Sequence, residues 1–232
     1  IKSYVDQMPV KAQSLVIGIS GGIDSSVSST LSAMTGIKTI VLTMPIRQKN
    51  NQHDLSLKHQ GWLIKNFKNV EAHTINLDKL FESFSSTLEK FDNEHGYANS
   101  RARLRMTTLY QVAAANKGIV VGTGNKVEDF GVGFYTKYGD GGVDISPIAD
   151  CNKTEVWELG KELGILKEII DAPPTDGLWD DGRTDEGQLG FKYKDLEDAM
   201  KNPNSPHRQE YEKIRKQNLH KMEPIPVCKI PS

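Results

Sequence analysis

Leu15-Val16-Ile17-Gly18-Ile19 runs directly into Ser20-Gly21-Gly22-Ile23-Asp24-Ser25-Ser26, and a helix-compatible segment follows at once. The first five residues have no polar side chain, which suits a strand buried on both faces. Two glycines then permit a tight turn, and the carboxylate and hydroxyls after them are residues that open a helix. Strand, glycine-hydroxyl loop and helix start together present unpaired backbone N–H groups at the positive end of a helix dipole, so the stretch reads as a phosphate-binding loop. It has no lysine of the G-x-x-x-x-G-K-[ST] kind and is therefore not a standard ATPase loop. Asp24 would repel a polyphosphate unless Mg²⁺ lay between them, so a nucleotide with a metal is the first expectation. Two glycines alone could be a simple turn capped by Asp24 and Ser25, but the full seven-residue pattern in this setting weighs against it.

Outward from this stretch the pattern is regular. Strand-like runs at 15–19, 38–44, 70–77 and 118–122 alternate with helix-like segments at 24–35, 54–67, 78–92 and 99–116. Such alternation predicts an α/β fold, a single-domain three-layer sandwich of a parallel sheet with helices on both faces. Ligands of such sheets bind beyond the carboxyl ends of the strands, where the loops here are rich in Gly, Asn, Ser and Thr. The strand signal fades after residue 150. Lys153 to Leu163 reads as a helix, with Val156, Leu159 and Leu163 on one face, and a charged helix is expected from about His207 to His220. Two long Gly- and Asp-rich connections, 134–150 and 173–190, read as lids or binding loops.

The 232 residues, 37% hydrophobic, fit one domain over 1–232. A net charge of −1 gives no footprint for nucleic acid or a membrane surface. Cys151 and Cys228 are far apart and have neither disulfide-framework nor zinc spacing, which fits a reducing cytoplasm. No apolar stretch of about 18 residues suggests a membrane span.

A second polar platform, Gly122-Thr123-Gly124-Asn125-Lys126-Val127-Glu128, follows the strand Ile119-Val120-Val121. Glu128 could simply complement a helix dipole, but across neighbouring strand ends from Asp24 it becomes a candidate second Mg²⁺ ligand. Then come Tyr135-Thr136-Lys137-Tyr138-Gly139-Asp140-Gly141-Gly142-Val143-Asp144, Ser146-Pro147-Ile148 and Asn152-Lys153-Thr154-Glu155-Val156. Lys153 at a helix start runs against the dipole preference, which points to a functional charge.

The loop S-G-G-I-D-S resembles the signature of the N-type ATP pyrophosphatases. The series S-G-G-I-D-S-S, G-T-G-N-K-V-E, F-Y-T-K-Y-G-D-G-G-V-D-I-S-P-I and N-K-T-E-V, continued by Ala172-Pro173-Pro174-Thr175-Asp176-Gly177-Leu178-Trp179 and T-D-E-G-Q-L-G, is similar to the NAD⁺ synthetases from about residue 14 to 222. The resemblance implies an adenine-nucleotide α-hydrolase fold and roles motif by motif. Gly18, Ile19, Ser20, Gly21, Gly22, Ile23, Asp24 and Ser25, with Thr123, Lys153 and Thr175, would hold ATP. Asp24 and Glu128 would bind Mg²⁺, and Asp24, Lys153 and Thr175 would carry catalysis. Arg103, Lys137, Asp144, His220 and Lys221 would bind nicotinic acid adenine dinucleotide (deamido-NAD). Arg101 and Arg105 share a helix face and Arg103 points elsewhere, so spacing leaves the choice among the three open. The preference for Arg103 comes from the resemblance alone.

The implied reaction is adenylation of the nicotinate carboxylate by ATP, then displacement of AMP by ammonia to give NAD⁺, with AMP and pyrophosphate as the other products. Glutamine-using relatives carry an added amidase domain, for which the synthetase motifs leave no room in this chain, so free ammonia is the expected donor. The resemblance also implies a homodimer. Another ATP pyrophosphatase, such as a GMP synthetase or a tRNA-modifying enzyme, is the nearest alternative, although paired cysteines for sulfur transfer are absent. A nucleotide-sensing module is a more distant one.

Overall fold

The computed structural model describes residues 1–47, 50–175 and 184–230, with residues 50–52 known by backbone alone. Four strands, β1 (Ser14–Gly18), β2 (Lys38–Thr43), β3 (Val70–Thr74) and β4 (Gly118–Val120), form one parallel sheet in the order β3-β2-β1-β4. Helices α1 (Lys2–Gln7), α2 (Ile23–Met34), α3 (Asn50–Asn66), α4 (Asp78–Thr87) and α5 (Glu94–Ala115) accompany the strands. A π-helical segment, Lys126–Val132, follows β4. Then come α6 (Lys153–Glu162), α7 (Lys167–Ile170), α8 (Asp185–Leu189), α9 (Tyr193–Lys201) and α10 (Arg208–Met222).

The apolar run at the head of the molecule becomes the central strand. Leu15, Val16 and Ile17 are all fully buried, each worth roughly 1.5–3 kcal/mol of apolar burial. Alternation sorts their side chains. Leu15, Ile17, Val41, Ile119 and Val121 pack with Val5, Ala33 and Leu63 on one face, whereas Val16, Ile40, Leu42 and Val120 pack with Leu77, Phe81 and Ala113 on the other. The first face is covered by α1, α2 and α3, and the second by α4 and α5. Strand order reverses beside β1, because β2 lies on one side of it and β4 on the other. The carboxyl ends of β1 and β4 therefore frame the crevice where a doubly wound sheet takes its ligand.

Element boundaries shift for local reasons. The run 70–77 ends as a strand at Thr74, because Asn76 accepts the Asp78 amide through its side chain at 2.8 Å and turns the chain into α4. The run 118–122 gives a strand of only three residues, prolonged by a single parallel bridge from Val121 to Ile145. The segment 78–92 divides into α4 and a short 3₁₀ turn, Glu89–Phe91. The helix expected at 99 starts five residues earlier, where the Asn93 side chain accepts the Gly96 amide at 2.7 Å. Two further helices, α7 and α9, lie in the segment after residue 163. The connection 134–150 has neither helix nor strand, as its glycines suggest. Of the connection 173–190, residues 176–183 lie outside the described residues, including the Asp176-Gly177-Leu178-Trp179 motif, and its end forms α8.

Candidate active site

The loop between β1 and α2 is held by its own hydroxyls. The Ser20 amide donates to Ser25 Oγ at 3.2 Å and the Gly22 amide to Ser20 Oγ at 3.2 Å. The Ser25 and Ser26 hydroxyls both donate to the Gly22 carbonyl, at 3.1 and 2.9 Å. Gly21 has φ +92°, where a side chain would be strained. Gly22 is the N-cap of α2, so the loop delivers the first turn of that helix, with Asp24 in it, to the carboxyl end of β1.

The platform after β4 is joined to this loop by Asn125, which is fully buried. Its carbonyl oxygen accepts the Val127 and Glu128 amides at 3.0 and 3.1 Å, and its Nδ2 donates to Asp24 Oδ1 at 3.1 Å. One side chain thus fixes both candidate metal ligands relative to each other. Between them lies Lys153, at the first position of α6 and only 1% exposed. Its Nζ donates to Asp24 Oδ2, and to Glu128 Oε1 at 2.9 Å. The ammonium also faces the rings of Tyr193 and Trp157, at 4.9 and 6.0 Å from their centroids. The Tyr193 hydroxyl donates to Glu128 Oε1 at 2.5 Å.

Two carboxylates share one ammonium, so the cluster keeps a net negative charge. Burial pushes the Asp24 carboxyl above its ordinary range, against the pull of Lys153. Glu128 is held below its own range despite burial, by Lys153 and the Tyr193 hydroxyl. Lys153 is raised despite burial, because both carboxylates favour its charge. An acidic centre that one lysine does not neutralise suits a further cation.

These groups open on a cavity of about 400 Å³, within the range of small-ligand sites. Every residue expected at the ATP and metal positions lines it: Gly18 to Ser25, Thr123, Glu128, Lys153 and Thr175. Its apolar wall includes Met44, Leu55, Met106 and Leu109. Among the described residues, five carboxyl groups line it, from Asp24, Glu128, Asp129, Asp140 and Asp185, against two cationic side chains, Lys153 and Arg105. That imbalance fits a nucleotide polyphosphate only if a divalent cation comes with it.

The residues expected at a second substrate lie elsewhere. Arg103 donates to the Lys137 carbonyl, at 3.4 Å from Nε and 3.3 Å from Nη2, and Lys137 Nζ donates to the His220 carbonyl at 2.6 Å. Lys221 Nζ donates to the Gly133 and Tyr135 carbonyls at 2.8 and 3.0 Å, and burial lowers its pKa. These four form one basic cluster where α5, the 134–144 loop and α10 meet, outside the lining of the ATP-sized cavity. Asp144 is not with them: its carboxylate accepts the Val120 amide at 2.7 Å and the Tyr110 hydroxyl at 3.0 Å. It ties the loop to β4.

Several residues at or beside the cavity have no role that the sequence motifs assign. Arg105 stands on the cavity wall with its Nε donating to the Met44 carbonyl at 3.0 Å, and its spacing from Arg101 put it on a face distinct from that of Arg103. Arg101 is buried, with its guanidinium 5.3 Å from the centre of the Phe81 ring. Asp129 packs over Gly124, where a Cβ would come within 1.8 Å of its Oδ2. Burial, and then Asp140, push its carboxyl well up. Asn125 sat within the G-T-G-N-K-V-E motif, whereas nothing local marks Tyr193, because its 65-residue separation from Glu128 is closed only by the fold.

A doubly wound sheet with a hydroxyl-rich phosphate loop and paired carboxylates at its switch point defines a nucleotide-using α/β enzyme. The NAD synthase family model matches residues 1–230, and the chain belongs to that family. It is thereby a ligase of NAD biosynthesis that forms a carbon–nitrogen bond with ATP as co-substrate. The chain is similar to the NH₃-dependent NAD⁺ synthetase of Carboxydothermus hydrogenoformans, with 40% identity over 191 residues, 80% of this chain and 76% of that protein. It is also similar to the enzyme of the same name from Finegoldia magna, with 36% identity over 95% of this chain and 89% of the relative. Among solved structures, the NMN synthetase of Francisella tularensis superimposes with a TM-score of 0.90 at 32% identity, covering 99% of this chain and 94% of the other.

Proposed function

We propose that the enzyme amidates deamido-NAD with ammonia through an adenylated carboxylate, giving NAD⁺, AMP and pyrophosphate. The observation that carries this reading is the meeting of Asp24, Glu128 and Lys153 at one point beneath the S-G-G-I-D-S loop. A nicotinate carboxylate is a poor electrophile, and exchanging its oxygen for nitrogen needs a better leaving group. A carboxylate oxygen attacks the α-phosphorus of ATP as the bond to the pyrophosphate oxygen breaks. Ammonia then attacks the acyl carbon, the bond to AMP breaks, and the nitrogen sheds a proton.

In this reading the loop amides and the α2 dipole bind phosphate oxygens, and Thr123 and Thr175 add hydroxyl donors. Lys153 neutralises the departing pyrophosphate from a buried position where its charge acts with little screening. Asp24 and Glu128 hold Mg²⁺, which when bound offsets phosphate charge. The basic cluster of Arg103, Lys137, His220 and Lys221 supports a place for the dinucleotide phosphates outside the cavity, with Asp144 shaping the loop beside it. A homodimer and a cytoplasmic location belong to the same reading.

A second reading changes only the acceptor. The whole-length similarity to an NMN synthetase favours nicotinic acid mononucleotide as a substrate, with nicotinamide mononucleotide as product. Adenylation and ammonia attack are unchanged. One assay separates the two: the enzyme with ATP, Mg²⁺ and ammonium is given each acceptor in turn, and kcat/KM is compared with AMP release. A tenfold or greater preference for the dinucleotide is expected, a reversed preference establishes the mononucleotide reading, and AMP release with neither amide formed refutes both.

A further inference from the structure

Tyr193 has no role in the chemistry above, yet it is built into the cluster. Its ring is 1% exposed and stands edge-on to Trp157, with centroids 5.9 Å apart. It packs with Val127, Val132 and Leu196. Ring burial alone does not call for a hydroxyl, and a phenol oxygen in such surroundings is costly unless bonded. This one lies 2.5 Å from Glu128 Oε1 and 3.3 Å from Asp185 Oδ2. A phenol has a single proton, and the shorter contact takes it.

At its other end, the Tyr193 amide donates to Glu186 Oε1 at 3.0 Å, and the neighbouring Asp185 amide donates to the Pro174 carbonyl at 3.0 Å. Tyr193 thus stands between Glu128 and the segment next to Thr175. Lys153 Nζ donates to the same Glu128 oxygen. Among the described residues both of these donors fall on Oε1, which leaves the lone pairs of Oε2 for a cation, shared at most with the Asn125 amide beside it.

We propose that Tyr193 is a positioning residue for the metal: its hydroxyl sets the rotation of the Glu128 carboxylate and ties that carboxylate to the segment carrying Thr175. The proposal rests on the reading of Glu128 as a metal ligand. Partners that orient metal-binding carboxylates from behind commonly change metal affinity by about 10- to 100-fold when removed. A ring that only filled space would be replaced by phenylalanine without such an effect.

The test is Mn²⁺ titration of the full chain, followed by electron paramagnetic resonance with an α,β-methylene ATP analogue present, for the wild type, Tyr193→Phe and Glu128→Gln. Tyr193→Phe is expected to raise the Mn²⁺ Kd about 10- to 100-fold. The Mg²⁺ concentration for half-maximal activity should rise in parallel, while KM for the nicotinate nucleotide stays within about twofold. If Glu128→Gln weakens Mn²⁺ binding and Tyr193→Phe binds like the wild type, the positioning role is overturned and the metal reading stands. If Glu128→Gln also binds like the wild type, the metal reading falls and the proposal with it. Should Tyr193→Phe not fold, Glu186→Ala removes the acceptor of the Tyr193 amide. A threefold or greater loss of Mn²⁺ affinity is then expected, and unchanged affinity overturns the proposal.

Discussion

Lys153 and Asp24 touch, yet their substitutions should have opposite effects on the fold. Replacing Lys153 by methionine leaves Asp24 and Glu128 facing each other without their counter-ion in a buried setting. Removing one member of such a cluster costs about 3–5 kcal/mol, and urea unfolding of Lys153→Met should show that loss. Asp24→Asn instead leaves Lys153 paired with Glu128 and relieves a carboxylate whose burial opposes its charge. Its unfolding midpoint should match or exceed that of the wild type, while AMP formation falls by about 100-fold or more, as when a charge-stabilising group is removed from an active site. A destabilised Asp24→Asn would show that the carboxylate is needed for structure.

At this scale the sequence was legible where chemistry is local. Asp24, Glu128 and the hydroxyls of Ser20 and Ser25 lie in short motifs, and all of them line the cavity. Tyr193 and Arg105 could not be read the same way, because what defines them is a neighbour far along the chain. Asp144 shows the converse: it stands in a motif that resembles a substrate site, yet its carboxylate is engaged with the Val120 amide and Tyr110.

Among the elements, the approach of α6 to α2 decides whether Lys153 reaches Asp24. Gly160 permits it, since a Cβ there would come within 2.6 Å of Ile23 Cδ1. Gly160→Val should push the helices apart, cost about 1–3 kcal/mol as overpacking does, and raise KM for ATP. Unchanged stability and KM would mean that the contact relaxes without moving α6. The apolar runs of β1, β2 and β4 were legible because these strands are buried on both faces, whereas β3 leaves Glu71, His73 and Thr74 exposed at the sheet edge, and the parallel sheet followed from the alternation of strands with helices. Where elements end was less so. Asn93 and Asn76 redirect the chain through single side-chain hydrogen bonds, and the apolar face of α9 finds its partners in distant parts of the chain, the π-helical segment, α6 and α10.

For the whole molecule, stability is coupled to pH through His59, a fully buried residue of α3 whose Nε2 lies 3.0 Å from Ser29 Oγ on α2. Burial pushes its pKa from 6.5 down to about 4. The unfolded chain therefore binds a proton over that interval that the folded chain refuses, so stability falls as pH drops from about 6.5 to about 4, by roughly 3 kcal/mol. His59→Gln should remove that part of the slope, and an unchanged slope would assign the acid sensitivity to other groups. Chelation of divalent cations should abolish AMP formation and leave the fold intact, checked by circular dichroism before and after EDTA.

The proposed chemistry is adenylation of a carboxylate in the cavity under the S-G-G-I-D-S loop. It is tested most directly by supplying the nicotinate nucleotide with ¹⁸O in its carboxylate and measuring the mass of the AMP formed. One ¹⁸O transferred to the phosphate of AMP is the expected result, because the attacking oxygen leaves with it when ammonia displaces AMP. Unlabelled AMP alongside the amide product, or ADP in place of AMP, would rule out an acyl-adenylate.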